Sequence, residues 1–222
     1  MLYDIDGWMA DLKEKLTAAL PGRVLFLGLQ GSYRRGEASS ESDIDIVTIL
    51  DQVRLVDLDL YRSIVRSMPE GEKACGFLCC KALLLQWPRF DLLSLFLDTK
   101  AYLGQLSDFI PPFAPYEVAQ AVRIGASGLY HAAVHDYLYA LDRNHALAQL
   151  SKSLYFLLRL RVYQERGIYC QRRTDLLPFL TSTQLELFPI CADPASLLSL
   201  SQAKISLLYE ALILWVSQLM KT

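Results

Sequence analysis

A proline-rich segment near the middle of the chain limits how any helix or strand can continue through it. Residues 110–115, Ile-Pro-Pro-Phe-Ala-Pro, place three prolines within five consecutive positions. Proline fixes φ and has no N–H to donate, so this segment continues neither a helix nor a strand. We therefore predict a domain boundary here, with one domain over residues 1–110 and a second over residues 116–222.

The part before this boundary mixes helical and strand-like patterns. Apolar residues recur at helical spacing over residues 4–20, and the apolar segment Val24–Leu29 follows as a buried strand. Residues 43–50 are rich in β-branched side chains, which predicts a second strand. We also predict a helix over residues 57–68 and a further apolar strand over residues 90–97.

The part after the boundary has helical patterns throughout. Its Leu, Ala and Tyr residues recur at heptad-like intervals, which is typical of an antiparallel bundle. The predicted helices span residues 116–142, 145–166, 181–187 and 196–220. The two parts together predict the α+β fold class, with a small α/β head followed by an all-α helical bundle.

Composition and charge limit the classes of partner. Of the 222 residues 53% are hydrophobic, enough for a proper core, and the formal net charge is −2. Proteins that grip long nucleic acid usually carry a basic surplus, because neutralising phosphates drives that binding. We therefore expect no long nucleic acid as a partner.

Targeting features and cysteine spacing predict a cytoplasmic protein without membrane contact. The first residues lack the basic and apolar regions of a secretory signal. Residues 205–220 are apolar, but Glu210 and Gln218 interrupt them, so we predict a buried helix. Whether this last helix is core or the interface of a homodimer stays open. Irregular spacing predicts reduced structural thiols for the five cysteines, which are Cys75, Cys79, Cys80, Cys170 and Cys191.

The stretch between the first two predicted strands contains the residues with a chemical role. Gly31 and Ser32 follow the first strand, and Asp43 and Asp45 open the second. Carboxylates two positions apart on a strand point to the same face, and paired oxygen ligands of this kind suit Mg²⁺. Gly31 lets the backbone approach a phosphate, the hydroxyl of Ser32 can bind its oxygens, and the guanidinium of Arg35 can fork onto it.

These residues carry a family resemblance within the stretch from Gly28 to Asp45, about 18 residues, with Gly-Ser-x-x-Arg-Gly beginning at Gly31 and Ser-Asp-x-Asp ending at Asp45. This order resembles the signature of the DNA polymerase β-type nucleotidyltransferase superfamily, and especially its small bacterial aminoglycoside and lincosamide nucleotidyltransferases. The resemblance implies a head with a mixed sheet. It also implies Mg²⁺-dependent transfer of a nucleoside monophosphate, usually AMP from ATP, to a hydroxyl of a small molecule or protein. Pyrophosphate would be released, and another NTP could replace ATP.

The resemblance further implies a third carboxylate on a later strand, beside the first two. Asp91 matches the hydrophobic-Asp-hydrophobic opening of that strand, and Asp98, at the other end of the same run, is the alternative. Seven positions apart on a strand they face opposite sides, so both can hardly be ligands. On this interpretation Asp43 and Asp45 hold the metals with Asp91, which is either a metal ligand or the base.

The helical part gives weaker indications. Lys152 resembles in placement a lysine that reaches the nucleotide in the antibiotic-modifying relatives, but a solvated helix lysine is an equal alternative. His131 and His135 lie four residues apart on one helix, without the Glu of a metalloprotease motif. Tyrosines in this part either line an acceptor pocket or belong to the core; they are Tyr130, Tyr137, Tyr139, Tyr155, Tyr163 and Tyr169.

Two regulatory alternatives compete with the enzyme. The resemblance extends to minimal nucleotidyltransferases that act as antitoxins beside a helical ribonuclease, but the toxin motif, Arg followed four to six residues later by His, is absent from residues 116–222. The other alternative is a catalytically silent nucleotide-binding protein. Intact Gly31, Ser32, Asp43 and Asp45 favour the enzyme over this second alternative.

Overall fold

A four-stranded mixed sheet forms the centre of the first part of the chain. In the computed structural model, which describes residues 4–221, the strands are β1 (Val24–Leu29), β2 (Ile44–Leu50), β3 (Ala74–Cys80) and β4 (Lys100–Leu103), in the order β3-β2-β1-β4. Strand β1 is antiparallel to both β2 and β4, whereas β2 and β3 run parallel. The predictions of β1 and β2 are confirmed.

Helices cover this sheet and supply much of its core. They are α1 (Ile5–Ala19), α2 (Gly31–Arg35), α3 (Leu55–Arg66), α4 (Lys81–Leu84) and α5 (Arg89–Leu97). The carboxylate of Asp4 caps α1 by accepting a hydrogen bond from the N–H of Gly7 at 3.0 Å. Trp8, Leu12 and Leu16 are spaced four residues apart, so they share one face of α1 and pack in a core cluster with side chains of β1 and β2.

The strand predicted over residues 90–97 is wrong, because these residues form helix α5. A short continuous apolar run fits a buried helix as well as a buried strand, and periodicity alone does not separate the two. Strand β3, which the sequence analysis missed, contains Gly76 and three cysteines and lacks a β-branched run.

The second part of the chain is helical. The chain divides into two compact units, the first ending at Pro112 and the second beginning at Phe113. The second contains α6 (Pro115–Tyr139), α7 (Arg143–Gln149), α8 (Ser151–Arg166), α9 (Ser182–Ala192) and α10 (Gln202–Leu219), with 3₁₀ turns at Thr174–Phe179 and Pro194–Ser199. The α+β fold class is therefore confirmed.

One predicted helix is divided in two. The helix predicted over residues 145–166 is interrupted at Leu150, which separates α7 from α8. The buried amide of Asn144 donates hydrogen bonds to the carbonyls of Leu197 and Leu200, at 2.8 and 2.9 Å, and this ties α7 to the 3₁₀ turn before α10.

Helix α10 buries one side of its apolar run, including Ile205, Tyr209 and Leu212. Across residues 4–221 no helix combines the length and the apolar character needed to cross a bilayer. The five cysteines, all within the described residues, form no disulfide bonds; Cys75 is exposed and the other four are buried.

Candidate active site

The turn after β1 brings the backbone of Gly31 against the carboxylate of Asp45. The N–H of Gln30 donates to the carbonyl of Asp45 at 2.8 Å and so extends the pairing of β1 with β2 by one residue. Gly31 then has φ +71°, and a Cβ placed on it would lie 1.8 Å from Oδ2 of Asp45. Only a residue without a side chain fits this position, since both the positive φ and the close contact exclude others.

The two aspartates of the motif lie at the start of β2. Asp43 directly precedes the strand and is exposed, whereas Asp45 is its second residue and is half-buried. Oδ1 of Asp45 accepts a hydrogen bond from the thiol of Cys75 at 3.3 Å. The carboxylate of Asp43 forms no hydrogen bond or ion pair with any described residue, and neither does the hydroxyl of Ser32 on α2.

This donor set fits a hard divalent cation. Asp43 and Asp45 are acceptor-only oxygen ligands that repel each other unless a cation lies near them. Among residues 4–221 no three His, Cys, Asp or Glu side chains are grouped closely enough to hold a metal ion by themselves. The remaining ligands of a cation held here would be water and phosphate oxygens, an arrangement that is usual for Mg²⁺.

Arg35 lies in a buried cluster of charges behind the turn. Its Nε is 3.1 Å from Oε2 of Glu37, and one of its terminal nitrogens is 3.4 Å from Oδ2 of Asp98. Arg34 approaches the other oxygen of Asp98 at 3.8 Å. The guanidinium predicted to clamp a phosphate is thus engaged with two carboxylates.

A second connection joins the same turn to the end of α5. The side-chain amide of Gln30 donates to Oγ1 of Thr99 at 2.8 Å and to the carbonyl of Leu95 at 3.3 Å. Because Gln30 immediately precedes Gly31, these bonds and the Arg35–Asp98 ion pair fix both ends of the short helix α2.

Neither candidate for a third carboxylate lies on a strand. Asp91 is exposed in the first turn of α5, so the two-sided alternation of side chains along a strand does not apply to it. Asp98 ends the same helix, where it is buried against Arg34 and Arg35. On the side of β2 away from β1 lies β3, and there the residue opposite Asp45 is Cys75. A third carboxylate therefore stays a prediction that rests on the resemblance.

The comparisons with known proteins agree with this geometry. The family model described as a nucleotidyltransferase domain matches residues 10–126, more than half of the chain and all four strands. The chain belongs to the nucleotidyltransferase family. This confirms the resemblance found in the motif, and the enzyme is a transferase of nucleoside monophosphates.

A solved structure shows that the likeness of fold extends over the whole nucleotidyltransferase. It is the crystal structure of spectinomycin adenyltransferase AAD(9) from Enterococcus faecialis with ATP and spectinomycin, which matches with a TM-score of 0.54. The alignment covers 93% of this chain and 98% of that chain at 14% sequence identity, a level that supports a common fold alone. A search of curated proteins finds no significant match.

The residues singled out in the second unit of the nucleotidyltransferase differ in their burial. Lys152 is the second residue of α8 and is exposed, and its assignment to the nucleotide stays a prediction. Tyr155 is buried and donates to the carbonyl of Gln171 at 2.7 Å, as a core tyrosine does. His131 and His135 are exposed on α6 with ring centroids 6.2 Å apart.

Proposed function

We propose that this nucleotidyltransferase transfers AMP from ATP to a hydroxyl group of a small molecule or protein, with Mg²⁺ bound at Asp43 and Asp45. The observation that supports this most is the contact between Gly31 and Asp45, which places a side-chain-free backbone turn directly against one of the two motif carboxylates. The fold shared with an adenyltransferase solved with ATP and spectinomycin supports the choice of ATP and of a hydroxylated small molecule.

Each residue of the turn has a role in binding the triphosphate. The hydroxyl of Ser32 and the N–H groups at Gly31 and Ser32 would bind oxygens of the β- and γ-phosphates, since the first N–H groups of a helix lack partners inside it. Asp43 and Asp45 would hold Mg²⁺, which when bound would supply positive charge to neutralise the triphosphate.

The reaction is a single displacement at phosphorus. The acceptor hydroxyl gives up its proton to water as its oxygen attacks the α-phosphorus, the bond from that phosphorus to the bridging oxygen of the β-phosphate breaks, and pyrophosphate leaves. The residues of this chain contribute by holding donor and acceptor in line, and this positioning is a large part of catalysis in phosphoryl transfer.

Arg35 and Asp98 would act behind this site, as the ion pair that holds α2 against the end of α5. This replaces the direct phosphate contact predicted for Arg35, because its guanidinium already faces Glu37 and Asp98. We assign no metal to Asp91 or Asp98.

Calorimetry with a non-hydrolysable ATP analogue, with and without Mg²⁺, tests the proposal. Wild type should bind in a Mg²⁺-dependent manner, and the Asp43→Asn/Asp45→Asn double variant should lose that dependence. Asp91→Asn is the matched control, an exposed aspartate of the same unit that should bind as wild type does. Loss of binding in Asp91→Asn would instead indicate that Asp91 is the third ligand of the metal.

A screen of hydroxyl acceptors for AMP transfer follows from a positive result. The expected product is an AMP-modified acceptor together with one equivalent of pyrophosphate. Failure of wild type to bind any of the four NTPs would overturn the proposal.

A further inference from the structure

The neighbour of Asp45 on the adjacent strand is a cysteine. In the parallel pairing of β2 with β3, Asp45 lies opposite Cys75, so the two side chains stand next to each other on one face of the sheet. The thiol of Cys75 donates to Oδ1 of Asp45 at 3.3 Å, while Oδ2 lies against Gly31. The carboxylate is thus held from both sides.

The residue after Cys75 explains why the thiol lies there. Gly76 has φ +130°, and a Cβ placed on it would meet the backbone oxygen of Ile46 at 2.0 Å. A side chain at Gly76 would therefore push β3 away from β2. The close approach of the two backbones brings Cys75 within reach of Asp45.

Packing does not account for a cysteine at this position. Cys75 is exposed on β3, an edge strand of the described sheet, whereas Cys79 and Cys80 of the same strand are buried. A thiol is small and a weak donor, so it can orient a carboxylate while leaving that carboxylate free to bind a cation. Groups that hydrogen-bond to metal ligands orient them and raise metal affinity.

From this geometry we propose that Cys75 is a positioning residue of the transfer site. Its thiol holds the carboxylate of Asp45 in the orientation that receives the divalent cation. The inference rests on the proposed function, because it concerns the same cation and the same carboxylate. It adds a residue from a strand that lies outside the sequence motif.

Substitution of the thiol tests this role by Mg²⁺-dependent binding of the non-hydrolysable ATP analogue. Cys75→Ala should weaken that binding about tenfold, the lower end of the range for partners of metal ligands. Cys75→Ser retains a donor of similar size and should stay close to wild type. Cys79→Ala is the control on the same strand: it removes a buried thiol away from Asp45 and should leave the affinity unchanged. Equal affinity of wild type and Cys75→Ala, or equal losses in the two alanine variants, would overturn the inference.

Thiol labelling gives a second measurement that does not depend on any substitution. Iodoacetamide should modify Cys75 first, since the other four cysteines are buried. Mg²⁺ together with the ATP analogue should slow this modification. Mass spectrometry of the peptide that contains Cys75 measures the rate. Analogue binding in calorimetry without any protection of Cys75 would overturn this inference and leave the proposed function intact. Wild type that binds no nucleotide at all would overturn both.

Discussion

Two glycines of the first unit share a left-handed backbone conformation and differ in what surrounds them. Gly22 has φ +73° and no atom within 4 Å of the place where a Cβ would stand. Gly31 has φ +71°, and Asp45 occupies that place. Comparing the two glycines separates the cost of the left-handed backbone from the effect of blocking the site, because the backbone cost is common to both positions.

The first prediction compares Gly31→Ala with Gly22→Ala. Each variant should lose about 1–2 kcal/mol of unfolding free energy, the cost of a left-handed conformation for a residue with a Cβ. Gly31→Ala should in addition lose Mg²⁺-dependent binding of the ATP analogue, because the new methyl group displaces Asp45. Urea denaturation and calorimetry measure the two effects. Nucleotide binding by Gly31→Ala that equals that of Gly22→Ala would contradict the assignment.

Sequence reasoning could find Gly31, Ser32, Asp43 and Asp45 because their relation is local. They lie within one short stretch of sequence, from the first residue of α2 to the second residue of β2, so a motif in the sequence is enough to point to them. Cys75 could not be found in this way. It is 30 residues from Asp45 in the chain, and only the order of strands in the sheet makes the two neighbours.

At the scale of elements, α2 is held by an ion pair buried at the end of α5. The side chains of Arg35 and Asp98 are 9% and 8% exposed. Removing one partner of such a pair leaves the other charge buried without compensation. The pair thus links a five-residue helix, too short to be stable alone, to the rest of the unit.

The second prediction concerns this pair. Arg35→Ala and Asp98→Ala should each lower the unfolding free energy by about 3 kcal/mol, and the double variant should lose less than the sum. Asp11→Asn is the control, since it breaks the exposed pair with Lys15 on α1 and should cost less than about 1 kcal/mol. Urea denaturation of the four variants measures the coupling. Additive losses would show that the two side chains act independently.

Another ion pair connects α3 to the start of β1. The guanidinium of Arg23 lies 2.7 Å from Oδ1 and 3.0 Å from Oδ2 of Asp57, and Oδ2 also accepts a hydrogen bond from the backbone N–H of Arg54. The hydrogen bonds from Arg23 hold the pKa of Asp57 well below its usual range. Since the folded state lowers this pKa, the pair stabilises the protein above the unfolded pKa, about 3.9. That stabilisation is lost as the pH falls toward the lower folded value.

The third prediction follows from the lowered pKa of Asp57. Asp57→Asn should be less stable than wild type at pH 7, and the difference should shrink as the pH falls below about 4. Asp59→Asn, an exposed position of the same helix, should follow wild type throughout. Urea denaturation across this pH range measures both variants. A difference between wild type and Asp57→Asn that stays constant with pH would contradict this role of Asp57.

Helix α5 shows where element prediction from sequence failed. Its apolar run fits a strand as well as a helix, and the fold decides in favour of the helix. Strand β4, which follows at Lys100–Leu103, has only four residues, and its pairing with β1 is visible only in three dimensions. Long periodic segments such as α1 and α10 carry enough repeats to be found.

At the scale of the whole molecule, charge is close to balanced. The 22 basic and 24 acidic residues give a formal net charge of −2. Affinity for nucleic acid of any sequence comes mainly from basic side chains that displace counterions. This balance of charge therefore gives no support for long nucleic acid as a partner.

The fourth prediction applies to the intact chain. A fluorescent single-stranded oligonucleotide should bind with a Kd weaker than about 0.1 mM at physiological salt, the weak end of non-specific binding. Fluorescence anisotropy measures this, and a fluorescent ATP analogue with Mg²⁺ serves as the positive control. Micromolar binding of the oligonucleotide would contradict this prediction and make nucleic acid a candidate acceptor.

The exposed thiol of Cys75 also allows small molecules to be attached covalently beside Asp45. A thiol exchanges with disulfides, so fragments that carry a disulfide can be captured at this position under mildly reducing conditions. Fragments that also contact neighbouring groups are retained at higher reductant concentrations than those held by the sulfur alone. The other four cysteines are buried, so capture would report on the surface beside Asp45. Ranking the retained fragments would map the shape and polarity of the surface beside Asp45 without any assay of catalysis.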